Sequence, residues 1–240
     1  LPHARRHPPD ALRICASNPW FASLPALERR RLLAAARPLR CARGEMLFRY
    51  GDAVDMRSDS QGGFYVLLHG VLKASTLNVE GREAIFVVLQ PGNWFGELSV
   101  LDGTPRTHDV TAMEDSHLLN VPPTAFAGLM QRPTFARAIT MLLAGRVRAL
   151  YGLVQASTLH STQGRIAYRL GRLAHGDATQ AQASQRSVTV SQEALSMMLG
   201  ITRQTLSREL HALADAGLLR LRYGRIDILQ PEHPLFGEST

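Results

Sequence analysis

The segment Ser191–Leu219, SQEALSMMLGITRQTLSRELHALADAGLL, constrains the fold more than any other part of the chain. Leu206, Leu210 and Leu213 recur at spacings of four and three, which on a helix gathers them into one apolar stripe. Arg203, Gln204, Ser207 and Arg208 are then left on the opposite, solvent-facing side. Upstream, Gly200 supplies the positive φ that a sharp helix–helix turn requires, with Ile201 expected to enter the core after it. Ser191 and Thr202 stand where N-caps belong. A short helix that exposes two arginines and an amide near its start suits the reading of base edges in a DNA major groove. A packed helical hairpin with a solvated charged face is the plainer reading of the same pattern. The run that follows, RLRYGRIDIL, favours the first: two β-prone stretches around Tyr223-Gly224 form a hairpin of the kind that makes a wing.

A chain of 240 residues with 45% apolar content can build two cores and is not disordered. Its net charge of +7 points only weakly to a polyanionic partner. Lys73 is the only lysine, so the arginine bias reflects residue usage as readily as function. No apolar run approaches the roughly eighteen residues of a membrane span. The opening LPHARRHPPD lacks an apolar signal core, and residues 1–17 are expected to form a flexible tail. Cys15 and Cys41 imply no disulfide framework, and a soluble cytoplasmic protein without membrane contact is the expectation.

The periodicity changes along the chain. NPWFASLPALERRRLLAAARP, Asn18 to Pro38, reads as helix, with Leu24, Leu27, Leu32 and Leu33 on its apolar side and Arg29, Arg30 and Arg31 solvated. From Arg43 to Pro122 short apolar runs are punctuated by Gly70, Gly81, Gly92 and Gly103, the pattern of a hairpin-rich barrel or jelly roll. Met56 to Gly63 reads as a loop between strands. After Pro133 the helical period returns, and Ile139, Leu143, Val147, Leu150 and Val154 form a seam close to that of a coiled coil. A long helix with one apolar seam calls for a partner, and a second copy is the simplest, although part of the seam is expected to pack on its own β domain. His175 to Ser187 reads as a linker. The expected division is a β-roll domain over 18–132, a dimerisation helix over 133–160 and a winged helix-turn-helix over 161–240, an α+β chain.

The densest chemistry before the helix-turn-helix lies in PGNWFGELSVLDGTPRT, Pro91 to Thr107. Arg106 offers a planar fork to two phosphate oxygens, and Glu97 can accept a hydrogen bond from a sugar hydroxyl. An internal Glu97–Arg106 salt bridge is the competing reading. Ser99, His108, Asp109 and His117 match no nucleophile or metal-ligand spacing, so neither catalysis nor a bound metal is expected. In an extended strand His108 and Asp109 point to opposite faces.

In this order, β-roll, FGELSVLDGTPRT, long helix, LGITRQTLSREL and wing, the chain resembles the superfamily of the cyclic-AMP receptor protein and the fumarate–nitrate reduction regulator. The resemblance runs from about Asn18 to Pro231. It implies a double-stranded β-helix that binds a cyclic nucleotide, cyclic AMP or cyclic GMP, and a homodimer that regulates transcription at a DNA operator, with RNA polymerase as a further partner. Glu97 would hold the ribose hydroxyl and Arg106 the cyclic phosphate, assisted by Gly96, Leu98 and Thr107. Arg203, Gln204 and Arg208 would read bases, while Ser191, Thr202 and Thr205 resemble phosphate-contacting positions; Ser207 shares the reading face.

Departures from the family pattern fall in both halves. Leu150 and Tyr151 stand where the cyclic-AMP receptor has two hydroxyl side chains on adenine; leucine cannot hydrogen-bond a base, whereas Tyr151 can stack on one or donate to it. Thr107 resembles a threonine that favours guanine in some cyclic-GMP domains. His108-Asp109 replaces small residues, and an acidic group facing the pocket would repel phosphate. Gln204 replaces an acidic reader and suits adenine better than cytosine, so the half-site should differ from the usual TGTGA at that step. Ligand-independent and cyclic-dinucleotide-responsive members are alternatives. An iron–sulfur sensor is disfavoured with only Cys15 and Cys41, as is a haem held by His69, His108 or His117. An enzyme-regulatory subunit would leave the helix-turn-helix without a use.

Overall fold

The computed structural model describes residues 10–57, 62–176 and 186–236. Parts of two expected loops, 58–61 and 177–185, lie outside them, as do 1–9 of the expected tail. That tail is corrected from Ala11 onward, because α1 (Ala11–Ala16) buries Ala11 and Cys15. The helix expected from Asn18 to Pro38 is two. Asn18 caps α2 (Pro19–Ser23) by accepting from the Trp20 amide at 3.0 Å. Pro25 then holds Leu24 extended, and α3 (Ala26–Ala35) starts afresh with Leu27 facing solvent.

Two antiparallel four-stranded sheets follow. One carries β1 (Arg37–Cys41), β8 (Ser116–Val121), β3 (Phe64–His69) and β6 (Trp94–Phe95) in that order. The other carries β2 (Met46–Phe48), β7 (Asp109–Ala112), β4 (Leu72–Leu77) and β5 (Glu83–Leu89). The period of two along β3 explains how they pack. Tyr65 and Leu67 point inward with Leu72, Leu89, Phe95, Val110 and Leu118, closing the roll. Phe64, Val66 and Leu68 point the other way, into a cluster with Trp20, Phe21, Leu32, Phe126 and Phe135 from the helices. FYVLLH is apolar without alternation because both of its faces are covered.

Between the strands and the long helix lie α4 (Glu97–Asp102) and α5 (Pro123–Met130). α6 (Pro133–Leu159) runs on from there, tied at its start by Arg132, whose Nε and Nη2 grip the buried Glu28 carboxylate at 2.6–2.9 Å. The expected seam divides. Ile139 and Leu143 pack on the roll, whereas Val147, Leu150 and Val154 remain 48%, 60% and 61% exposed.

The last part comprises α7 (Thr162–Ala174), β9 (Ser187–Thr189), α8 (Gln192–Leu199), α9 (Arg203–Asp215), β10 (Leu219–Arg222) and β11 (Arg225–Ile228). Leu206, Leu210 and Leu213 are fully buried with Ile166, Leu170 and Leu195, each contributing roughly 1.5–3 kcal/mol of burial. β9 adds a third strand to the expected wing hairpin, in the order β10-β11-β9. Ile85 and Val88, from edge strand β5, belong to the same apolar cluster. Beside them the buried Arg169 donates from Nη2 to the Phe86 carbonyl at 2.8 Å. The helix-turn-helix region is thus seated on the open edge of the second sheet, covering unpaired backbone there.

Candidate ligand pocket and nucleic-acid interface

Gly96 lies at φ +86°, and a Cβ there would meet the Tyr65 ring at 2.9 Å and the Gly63 carbonyl at 3.1 Å, so only glycine fits the turn from β6 into α4. That turn starts α4 at Glu97, whose side chain is 1% exposed. Nine residues on, Arg106 is also buried. Its Nη1 donates to the Gly96 carbonyl at 2.9 Å and its Nη2 to the Gly63 carbonyl at 3.2 Å. The guanidinium lies over the Phe48 ring, 4.2 Å from its centroid, with Tyr65 at 5.8 Å. Burial pulls the Arg106 pKa below the ordinary arginine value, opposed by the attraction of Tyr65 and Glu97.

The expected alternative, a Glu97–Arg106 salt bridge, is absent. Glu97 pairs through Oε1 with Nη1 of Arg146, from the middle of α6, and Nη2 of Arg146 donates to the Trp94 carbonyl. Arg106 consequently has no carboxylate within ion-pair distance among the described residues, and Glu97 Oε2 is buried without a partner. The buried cation is thus met only by carbonyls and rings, and one oxygen of the buried carboxylate has no hydrogen-bond partner. Arg146 escaped the sequence reading, although a signal exists. It falls between Leu142 and Ala149 on the stripe of α6 that faces the roll, and an arginine on such a stripe needs a carboxylate opposite.

The structure separates the roles of His108 and Asp109. Asp109 turns away and accepts from the Tyr50 amide at 2.8 Å, so it does not oppose an anion in the pocket. His108 turns inward between Phe48 and Phe86, with ring centroids at 6.0 and 6.2 Å, and its Nδ1 meets the Thr107 hydroxyl at 2.9 Å. Burial, followed by the neighbouring Arg106 charge, holds the His108 pKa below the usual imidazole value. Thr107 and Leu98 border the site with exposed side chains. Tyr151 is not gathered into it. It is 71% exposed further along α6, and no contact joins it to Glu97 or Arg106.

In the helix-turn-helix, Gly200 adopts φ +63° and closes α8. Ser191 accepts from the Ala194 amide at 3.0 Å and Thr202 from the Thr205 amide at 3.1 Å, the expected caps. The Thr202 hydroxyl also bonds that of Thr205 at 2.9 Å. Arg203, Gln204 and Arg208 are exposed, and Ser207 is half-buried on the same side. Arg208 shares the Glu209 carboxylate at 2.8 Å. One open face of α9 carries Gln204, Ser207, Arg208, His211, Ala212 and Asp215. Among the described residues no group of three or more His, Cys, Asp or Glu could hold a metal ion, and no helix is long and apolar enough to cross a membrane.

Comparison with known proteins meets this geometry at both ends of the chain. Residues 38–133 match the model of the cyclic nucleotide-binding domain, and residues 164–233 that of the Crp-like helix-turn-helix domain. The cyclic AMP receptor protein of Thermus thermophilus is 28% identical over 183 residues, 76% of this chain and 82% of that protein. A CRP-like cAMP-activated global transcriptional regulator of Mycobacterium tuberculosis is 26% identical over 186 residues, covering 77% and 80%. The crystal structure of the Thermus thermophilus catabolite activator protein superposes with a TM-score of 0.51 at 27% identity, covering 89% of this chain and 95% of that one. The chain therefore belongs to the superfamily of the cyclic-AMP receptor protein and the fumarate–nitrate reduction regulator, and it is a DNA-binding transcription regulator.

Proposed function

We propose that this regulator is a homodimer whose DNA affinity is set by a cyclic nucleotide bound in the β-roll. The observation that carries the reading is the buried Arg106 guanidinium without a carboxylate partner, next to the unpartnered Oε2 of Glu97. Arg106 would clamp the cyclic phosphate, with backbone at Gly96 and Leu98 and the Thr107 hydroxyl beside it. Glu97 would accept from a ribose hydroxyl through Oε2 while Arg146 keeps its other oxygen paired. Tyr151 would contribute to the base only after α6 is packed in the dimer. Residues 18–132 would serve as sensor, 133–160 as dimerisation helix and 161–240 as reading head. The apolar strip of Val147, Leu150, Tyr151 and Val154, exposed in one chain, suits a second copy. Two-fold pairing would set two reading helices about one DNA turn, roughly 34 Å, apart. Arg203 would read guanine and Gln204 adenine, with Arg208 completing the base contacts and Ser207 on the same reading face; Ser191, Thr202 and Thr205 would hold phosphates.

Calorimetric titration with cyclic AMP, cyclic GMP and cyclic di-GMP tests the input. One of the mononucleotides should bind the native protein and be lost from Arg106→Ala. Binding of none of the three overturns an effector of this class and leaves the DNA-binding function standing. Binding of cyclic di-GMP alone transfers the site to a dinucleotide.

A further inference from the structure

The reading face of α9 carries two polar side chains beyond the base-reading set, His211 and Asp215. His211 lies seven residues after Gln204 and three after Arg208, spacings that keep it on the same helical face, and it is exposed. Its ring is not free to turn. Nδ1 lies 2.8 Å from the Ser207 carbonyl, one helical turn back. A carbonyl only accepts, so the proton of that bond sits on Nδ1 and Nε2 is aimed away from the helix backbone. The side chain is thus held in one tautomer and one orientation, presenting a single nitrogen outward.

Where that nitrogen arrives follows from helix geometry. His211 is eight residues beyond Arg203, a rise of about 12 Å. The DNA major groove is also about 12 Å wide. With the start of α9 at the base edges, His211 lies at the groove wall, where the nucleic acid presents phosphate oxygens rather than bases. Asp215, one turn further, carries a negative charge on the same face and cannot approach that wall favourably. His211 is therefore the last residue of α9 able to meet the backbone, and Asp215 limits how far the helix can lie down into the groove.

We propose that His211 is a phosphate anchor of the reading helix, and that it makes this contact as the imidazolium. Neutral imidazole would turn the Nε2 lone pair toward an anionic oxygen; protonated, Nε2–H donates to it and the pair becomes charge-assisted. DNA binding then takes up a proton at this position. The charged groups on that face with His211 are Arg208 and Asp215, both on α9. Arg208 is already engaged by Glu209. Because the complex favours the protonated form, the added affinity is larger at the lower of two pH values.

The inference rests on α9 being the reading helix, and the experiment separates the two. A duplex is selected from a random library with the full-length wild-type protein, and affinity is measured against salt at pH 6 and pH 8 for wild type, His211→Gln and His211→Lys. At pH 6 the slope of log affinity against log salt should be shallower for His211→Gln by about 0.9 per protomer, one phosphate contact. Wild type should bind more tightly at pH 6 than at pH 8 by roughly three- to tenfold beyond any pH effect retained in His211→Gln. His211→Lys should restore the slope at both pH values. Base preference should be the same in all three, which distinguishes an anchor from a shifted helix. Equal slopes and equal pH dependence in wild type and His211→Gln would overturn the proposal. A wild-type protein that selects no duplex either alone or with saturating cyclic AMP or cyclic GMP would overturn the reading of α9, and the anchor with it.

Discussion

Glu97 and Arg146 form an asymmetric pair, and their removal should not cost the same. The Glu97 side chain is 1% exposed and that of Arg146 20%. In Arg146→Ala the carboxylate stays buried with neither oxygen paired, and losing one partner of a buried ion pair costs about 3–5 kcal/mol. The reverse change, Glu97→Gln, leaves an arginine that keeps the Trp94 carbonyl and can turn its free end to solvent. Gln also retains a carbonyl for Arg146, so the loss should be nearer that of one hydrogen bond to a charged group, about 1.5–3 kcal/mol. Arg146→Ala should therefore be the less stable protein by about 1–2 kcal/mol. Glu97→Gln/Arg146→Ala should recover part of the difference, because the carboxylate charge is removed together with its partner. Urea unfolding followed by tryptophan fluorescence is suited to the measurement, since Trp20 and Trp94 are the only two tryptophans and lie edge to face at 5.5 Å in the core beside the pair. Equal losses in the two single variants, or a double variant less stable than Arg146→Ala, would refute the assignment of Glu97 as the buried member that depends on its partner.

Three further outcomes follow. Leu150→Glu should convert a dimer to a monomer by analytical ultracentrifugation without unfolding it, because Leu150 is exposed in the single chain and its cost falls on the interface alone. Arg169→Leu should weaken the seat of the helix-turn-helix on β5, read as faster hydrogen exchange at β5 and α8 amides with the β3 amides unchanged. Hydrogen bonding from Arg132, with the charges of Arg132 and Arg31, holds the Glu28 carboxyl below its ordinary value of 4.5. A lowered carboxyl pKa stabilises the fold above that value and is lost as pH falls through the lower, folded-state one. Wild type should thus lose stability on acidification below about pH 4.5, and Glu28→Gln should lose less over the same range when unfolding is followed at each pH.

Much of the reading head was legible because its signals are local. Caps at Ser191 and Thr202, the left-handed turn at Gly200 and the leucine stripe of α9 each link residues no more than four positions from the next, so a helix period suffices to find them. The hairpin at Tyr223-Gly224 is local too. Where local signals conflicted, the sequence misled: Leu24, Leu27, Leu32 and Leu33 suggested one helix, but Pro25 broke it. β9 pairs with β11 across a separation of about 40 residues and left no pattern in a three-residue segment.

For the pocket, the order of residues along the chain specified which groups are present: a glycine that alone fits its turn, a carboxylate after it and an arginine nine residues beyond that. Their partners were decided by tertiary structure. Glu97 and Arg106 have opposite charges and lie close in sequence, so a chain-local view pairs them. Folding brings Arg146 from α6 to Glu97, and turns Arg106 onto two carbonyls and the Phe48 ring. Likewise only packing shows that Asp109 faces the Tyr50 amide and that part of the α6 seam is taken by the roll while the rest stays open. The physical reason is common to all three: charge and hydrophobicity belong to a residue, whereas the choice among partners depends on which segments distant in sequence are brought within a few ångströms and shielded from water.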